Sequence, residues 1–178
     1  MNEDIVDTSK QIETQYLIDT NKFILLSVLT FGFYQIWWFY KSWRFFQQKD
    51  NADLAPAIRT IFGIVFIIPL FTRIKGYAIS KSYKKRFHSG LLFLAYLITT
   101  LLSYLPFPAG ILSIFSVFVL LQPFTALNFA KRNSADIIAI EQKNFNVRQI
   151  ILMIIGGILW LFNIYYIYLM RSYGYETN

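Results

Sequence analysis

In the stretch QQKDNADLAP, Asp50 and Asp53 stand three residues apart. Carboxylates at that spacing can hold Mg²⁺ against a phosphate. The same spacing also serves helix capping, because Asp53 precedes Pro56 and a new apolar run, where an N-cap belongs. Asp136 and Glu141 have no acidic neighbour at a metal-like spacing and read as solvated. His88 is the single histidine and sits between a basic run and Ser89-Gly90. Nothing beside it suggests a base and nucleophile, and zinc needs three or four ligands. There is no cysteine, which removes a thiolate nucleophile, a disulfide framework and a cysteine zinc site. No phosphate-binding loop, dinucleotide fingerprint or serine-hydrolase elbow is present. The residues therefore point away from an enzyme. No catalytic, metal-binding or cofactor-binding residue is assigned, and no cofactor is expected.

The elements that would carry such residues are apolar. Hydrophobic residues make up 56% of the 178-residue chain and charged residues only 15%. Globular chains carry about a quarter charged residues, so a bilayer is the natural solvent for this one. A net charge of +7 could suggest nucleic acid. Basic cytoplasmic loops facing anionic headgroups explain it better, and no nucleic-acid partner is expected. Residues 1–21 form a polar, acidic tail with Glu3, Asp4 and Asp7 where a signal peptide is cationic. A short amphipathic helix through Ile12, Tyr16 and Leu17 is expected within it. Residues 22–170 form a helical membrane domain, and 171–178 a short polar tail.

Five apolar segments lie in that domain, at 23–40, 61–71, 91–105, 110–130 and 150–170. A crossing helix needs about 20 apolar residues, and the last two segments meet this. Segments 91–105 and 110–130 are joined by Pro106, Pro108 and Gly110 and read as a hairpin with an uncharged tip. Segment 61–71 is short and reads as re-entrant or interfacial. A basic surface helix is expected after it, with Ile74, Tyr77 and Ala78 on one face and Arg73, Lys75, Lys81, Lys84, Lys85 and Arg86 on the others. The expected fold is thus all-α and polytopic, with four or five spans.

Cation placement leaves three topologies open. If 61–71 dips and returns, loops 41–59, 72–90 and 131–149 all face the cytoplasm, and only Lys10, Lys22 and Arg171 lie outside. If it crosses, the N-terminus is inside and loop 41–59 moves out. In the third arrangement the first segment bends at Gly32, which brings Lys10 and Lys22 inside as well. Charge placement favours the first arrangement over the second.

The stretch TFGFYQIWWFYKSWRFF crowds Tyr34, Trp37, Trp38, Tyr40 and Trp43 toward Lys41 and Arg44. Trp and Tyr collect at headgroup level, where cations snorkel and stack on rings. These residues, with the six cations of loop 72–90, form a candidate surface for lipid or a membrane partner. Gly32, Asn128, Gly156 and Gly157 are candidate helix-packing positions. Gly32 would allow close backbone approach, and Asn128 would satisfy a carbonyl freed by Pro123. Gln35, Gln122 and Asn163 are expected to hydrogen-bond between helices.

Thr30, Gly32, Tyr34, the group Trp38-Phe39-Tyr40-Lys41 and Trp43 resemble a motif of a family of small bacterial polytopic membrane proteins of unknown function. The similarity continues at Pro56, Arg59, Pro69-Leu70-Phe71 and Arg73, and at Gln122-Pro123 with Asn128. The resemblance implies a bacterial inner (cytoplasmic) membrane and a multi-pass helical architecture. It supplies no catalytic residues. The expected role is a scaffold or accessory subunit that contacts anionic lipid, a membrane partner or another copy of itself. A small transporter or channel for a neutral or lipid-like solute is the alternative, and a lipid- or phosphate-modifying enzyme is a third option.

Overall fold

The computed structural model describes residues 12–105 and 109–172. Seven α-helices account for most of it: α1 (Thr20–Leu29), α2 (Phe33–Lys49), α3 (Pro56–Ile61), α4 (Gly63–Ser80), α5 (Ser89–Leu101), α6 (Ser116–Arg132) and α7 (Val147–Ser172). Short 3-10 helices, Leu102–Tyr104 and Ala109–Phe115, flank the tip between α5 and α6. Pro106 and Pro108, expected to make that turn, lie outside the described residues. Three helical stretches, Gly63–Ser80, Leu112–Arg132 and Val147–Ser172, are long and apolar enough to cross a membrane.

Two strands accompany the helices. Strand β1 (Gln15–Leu17) pairs in parallel with β2 (Ala139–Glu141), with Tyr16 opposite Ile140. The helix expected through Ile12, Tyr16 and Leu17 is therefore replaced in part by a strand, and Leu17 and Ile18 are buried. The described part of the N-terminal segment is tied to the body rather than free.

The first apolar segment is two helices. Asp19 caps α1 by accepting the Lys22 N–H at 2.8 Å. At the other end the Phe31 N–H donates to Val28 O at 3.2 Å and the Gly32 N–H to Ser27 O at 2.8 Å. This double closure ends a helix through left-handed residues, and Phe31 (φ 50°) and Gly32 (φ 88°) both adopt that conformation. The Thr30 hydroxyl donates to Leu26 O at 2.7 Å and accepts the Tyr34 N–H at 3.0 Å. The chain then folds back, so that the Phe23 ring meets those of Tyr34 and Trp38. Gly32 is thus a reversal residue, and a Cβ there would meet only the Gln35 side chain at 3.9 Å. The close backbone approach expected at Gly32 is corrected.

Helix α2 buries Tyr34, Gln35, Trp38, Phe39, Ser42, Trp43, Phe45 and Phe46, a stripe at helical spacing. It runs alongside α6: Gln35 bonds Ser116 at 3.3 Å, Trp38 meets Phe124, and Lys131 lies over Phe45. Helix α4 crosses α2 steeply. Phe66 and Tyr77 are about 16 Å apart along α4, yet Phe66 meets Trp43 edge to face, and Tyr77 meets Phe45 at a tilt and Phe46 edge to face.

Helix α4 also corrects the separate surface helix. Ile67, Leu70, Phe71, Ile74, Tyr77 and Ala78 form one continuous buried stripe. The helix therefore runs through Arg73 and Lys75 to Ser80, and residues 83–88 are irregular. Asp53 does not cap α3, whose N-cap is Ala55 with Pro56 behind it. Asn128 donates to Ile18 O at 3.0 Å instead of to a carbonyl freed by Pro123, and Asn163 bonds Leu159 O in its own helix.

Helix α7 starts with a reciprocal cap, in which the Gln149 N–H donates to Asn146 Oδ1 and the Asn146 N–H to Gln149 Oε1. Gly156 then lies against the end of α1. A Cβ there would collide with the Leu29 carbonyl oxygen and sit 2.8 Å from its carbon, whereas Gly157 has nothing within 4 Å. Gly156→Ala should therefore lower stability in detergent by about 1–3 kcal/mol, and Gly157→Ala, which meets open space inside a helix, should leave it unchanged or raise it by up to about 1 kcal/mol. Thermal unfolding of the two variants checks this, and equal effects would refute the packing.

Candidate functional site

One end of the molecule gathers the described polar chemistry. There α1 and α7 begin and α2, α4 and α6 end, and β1 and β2 join the connecting segments. Lys22 Nζ donates to the carbonyls of Gln142, at 2.7 Å, and Lys143. Asp50, just past α2, bonds Arg73 of α4 at 2.8 Å and Lys49 at 3.4 Å. Lys49 lies 4.9 Å from the centre of the Tyr77 ring, and the Tyr77 hydroxyl bonds Ser134 beyond α6. Lys81 approaches Asp136 at 3.8 Å, and Arg132 bonds Glu141 at 2.8 Å. Arg171 lies near the other end of α7.

Lys131 is the most deeply placed cation, only 7% exposed. Its ammonium donates to Gln15 Oε1 at 2.9 Å and lies 4.3 Å from the centre of the Phe45 ring. A buried charge must be hydrogen-bonded or paired, and here an amide and a π face serve in place of a carboxylate. Sequence reasoning missed Lys131. The usable signal was periodicity, since it continues the buried line Leu120, Phe124, Leu127 at i, i+4, i+7 and i+11.

The aromatic stretch divides between interior and surface. Tyr34, Trp38 and Trp43 are buried, so their expected role as a lipid or partner surface is corrected. The Tyr34 hydroxyl accepts from Gln149 Nε2 at 3.1 Å. Burial raises its pKa above the usual phenol value, and this hydrogen bond opposes the shift in part. Trp43 is 1% exposed and lies under Arg59, whose guanidinium is 4.8 Å from the Trp43 ring centre and 5.1 Å from that of Phe66. Trp37 and Lys41 stay exposed, and Trp37 stacks on the half-buried Tyr40 at 5.4 Å. Arg44 pairs with Glu13, Arg73 with Asp50 and Lys81 with Asp136. Lys75 is half-buried. Lys84, Lys85 and Arg86 are exposed and have no ion-pair partner among the described residues.

Asp50 and Asp53 do not converge on a common point for a metal: Asp50 turns to Arg73 and Lys49, while Asp53 lines a cleft beside α2. Among the described residues no group of three or more His, Asp or Glu side chains could hold a metal ion. His88 is exposed at the start of α5 and makes no side-chain cap bond. The fold is mostly helical, with three helical stretches long and apolar enough to cross a membrane. No family model matches the chain, and no curated protein or solved structure shows significant similarity to it.

The division of the tryptophans is measurable. Trp43→Ala removes a fully buried ring and the platform under Arg59, and should cost about 3–5 kcal/mol. Trp37→Ala, at an exposed position, should cost less than about 1 kcal/mol. Denaturation of both variants in the same detergent provides the comparison, and similar losses would contradict the buried placement of Trp43.

Proposed function

We propose that this protein is a non-catalytic, multi-pass protein of the inner (cytoplasmic) cell membrane. It acts as a scaffold or accessory subunit whose basic end holds anionic lipid headgroups. The observation that carries this reading is the exposed run Lys84-Lys85-Arg86, which extends from the charged end without described carboxylate partners. Each such cation near an anionic surface contributes about 1 kcal/mol, screened by salt. The positive-inside tendency favours placing this end in the cytoplasm. The resemblance of the Thr30–Trp43 stretch to small bacterial membrane proteins supports the same compartment. Asp50, which a phosphate-modifying enzyme would need free for a metal, is engaged by two cations, and this weighs against that rival.

The topology follows from the same contacts. The Asp50–Arg73 pair brings the flanks of 61–71 together at the basic end, which supports a dipping pair, α3 and α4, over a crossing. The bond from Lys22 to the Gln142 carbonyl brings the start of α1 to that end too. This supports the bent first segment, with α1 and α2 both returning to the cytoplasmic side. The crossings are then α6, α7 and the shorter α5 continued by its 3-10 turn to Tyr104, while α4, though long enough to cross, dips and returns; that is fewer than the four or five that hydropathy suggests.

Single cysteines at Asn51 and Lys84 test the topology, because the chain has no other cysteine. Both should resist an impermeant thiol reagent in intact cells and react after permeabilisation. Labelling of Asn51 alone from outside would make α4 a full crossing. For the lipid reading, the native protein in neutral detergent should bind a soluble short-chain anionic phospholipid at low salt, and the triple variant Lys84→Gln, Lys85→Gln, Arg86→Gln should bind it at least about tenfold more weakly. Binding of the matching zwitterionic lipid should be unchanged. Equal anionic-lipid binding by the triple variant and the native protein would reject this face as the headgroup site.

A further inference from the structure

Helix α3 and the first turn of α4 are built inside out. Their exposed large residues are apolar: Ile58, Ile61, Phe62, Ile64 and Val65. The one charged residue between Asp53 and Arg73 is Arg59, and it is half-buried against the body of the protein. In water this order is unfavourable, because it exposes large apolar side chains and covers a charge. In a bilayer it is the expected order, with the apolar rim in lipid and the charge turned toward protein. Two contacts fix the Arg59 guanidinium. Its carbon lies 4.8 Å from the Trp43 ring centre and 5.1 Å from that of Phe66, and the two rings stand at 90° to each other. Trp43 is fully buried, so this platform is rigid. A π face attracts the cation but offers no oxygen to its five N–H groups. Arg59 has no ion-pair partner among the described residues.

A guanidinium held in place without an anion, at the border of a lipid-facing rim, suits the phosphate of a phospholipid. We propose that Arg59, braced by Trp43 and Phe66, binds the phosphate group of one phospholipid. The guanidinium donates two parallel N–H bonds to phosphate oxygens, a geometry that its planar fork favours. The acyl chains lie along Ile58, Ile61 and Phe62. The site recognises the phosphate rather than the net charge of the headgroup, so it takes zwitterionic lipid as well as anionic lipid. It rests on the membrane reading above but not on the basic end, because it uses none of Lys84, Lys85 and Arg86. Nor does it depend on whether α4 dips or crosses, since both leaflets carry phosphate.

Full-length protein in a neutral detergent should be titrated calorimetrically with three soluble probes: dihexanoylphosphatidylcholine, dihexanoylglycerol and inorganic phosphate. The expected result is saturable binding of the phosphatidylcholine, at least about tenfold tighter than either fragment. Arg59→Gln should weaken it at least about tenfold, while the triple variant Lys84→Gln, Lys85→Gln, Arg86→Gln binds it as the native protein does. Arg59→Lys keeps a charge over Trp43 but not the two parallel bonds, and should weaken binding at least about threefold. Where Arg59→Gln shifts the unfolding temperature measured without lipid, Arg59→Lys decides. Inorganic phosphate binding as tightly as the lipid would assign the site to a soluble anion and overturn the lipid assignment. Dihexanoylglycerol binding as tightly, native-strength binding by Arg59→Lys, or no saturable binding of the phosphatidylcholine would overturn the proposal outright. Loss of phosphatidylcholine binding in the triple variant instead would move the site to the basic end.

Discussion

The reversal at Thr30-Phe31-Gly32 is the constraint on which the remaining packing depends. A straight helix through residues 20–49 would carry Phe23 far from the face that α2 presents to α6. With the reversal, Phe23 stacks on Phe124 at 4.2 Å and 15° while still meeting Tyr34 and Trp38. The end of α1 is then exposed to α7, and Gly156 seats directly on the Leu29 backbone. One turn on, Trp160 donates its indole N–H to Val28 O at 3.2 Å and stacks on Phe31 at 4.6 Å. The αL residues at the turn are thus held by α7 as well as by their own hydrogen bonds. A non-glycine residue in that conformation costs energy, and the Phe31–Trp160 stack provides a local contact that offsets part of it.

The charged end meets a different constraint. Cations outnumber acids 17 to 10, so carboxylates cannot pair with all of them. The structure uses rings and carbonyls for the remainder. Lys49, Arg59 and Lys131 lie over Tyr77, Trp43 and Phe45, while Lys22 takes two backbone carbonyls. Aromatic faces provide attraction without a second charge to desolvate. This explains why the aromatic residues of α2 face inward near its charged end: they stabilise cations of neighbouring elements and fill the core.

Much of the membrane character was legible because it rests on bulk properties: long apolar runs and loops that collect charge. The glycine break in the first segment was visible too, though its consequence was not. Gly32 and Gly156 look alike in sequence, but one supplies a positive φ and the other a bare surface for a carbonyl. Gly157 is indistinguishable from Gly156 on paper and has open space. Which of two adjacent glycines meets a partner depends on where α1 ends, and nothing local encodes that. The β1–β2 pairing joins segments more than a hundred residues apart and has no local signal stronger than three alternating residues. Arg73 and Lys75 suggested a boundary because they are charged, yet Ile74, Tyr77 and Ala78 carry the buried stripe of α4 past them. For helix continuation, the period of the buried face outweighed the charge of the exposed one. Trp38 and Trp43 were misassigned for the opposite reason. Residue type pointed to an interface, while the spacing of Tyr34, Trp38 and Trp43 already pointed to a buried stripe.

Helix α7 shows where the protein's own core stops. It has the highest mean hydropathy of the three long apolar helices, 2.2, and only 6% of that stretch is buried. Its contacts with α1 reach as far as Trp160, after which Leu161, Phe162, Ile164 and Tyr165 are exposed. In water, an apolar surface of that extent would drive aggregation. In hydrocarbon it carries no such penalty, because lipid tails are as apolar as the side chains. At about 1.5 Å per residue, the 26 residues reach about 39 Å, more than the roughly 30 Å of a bilayer core. Tyr165, Tyr166 and Tyr168 fall on its last turns before Arg171, the order of residues that suits a helix leaving hydrocarbon for headgroups. The first half of α7 is fixed by a glycine on a carbonyl, and the second half is matched to its solvent by composition alone.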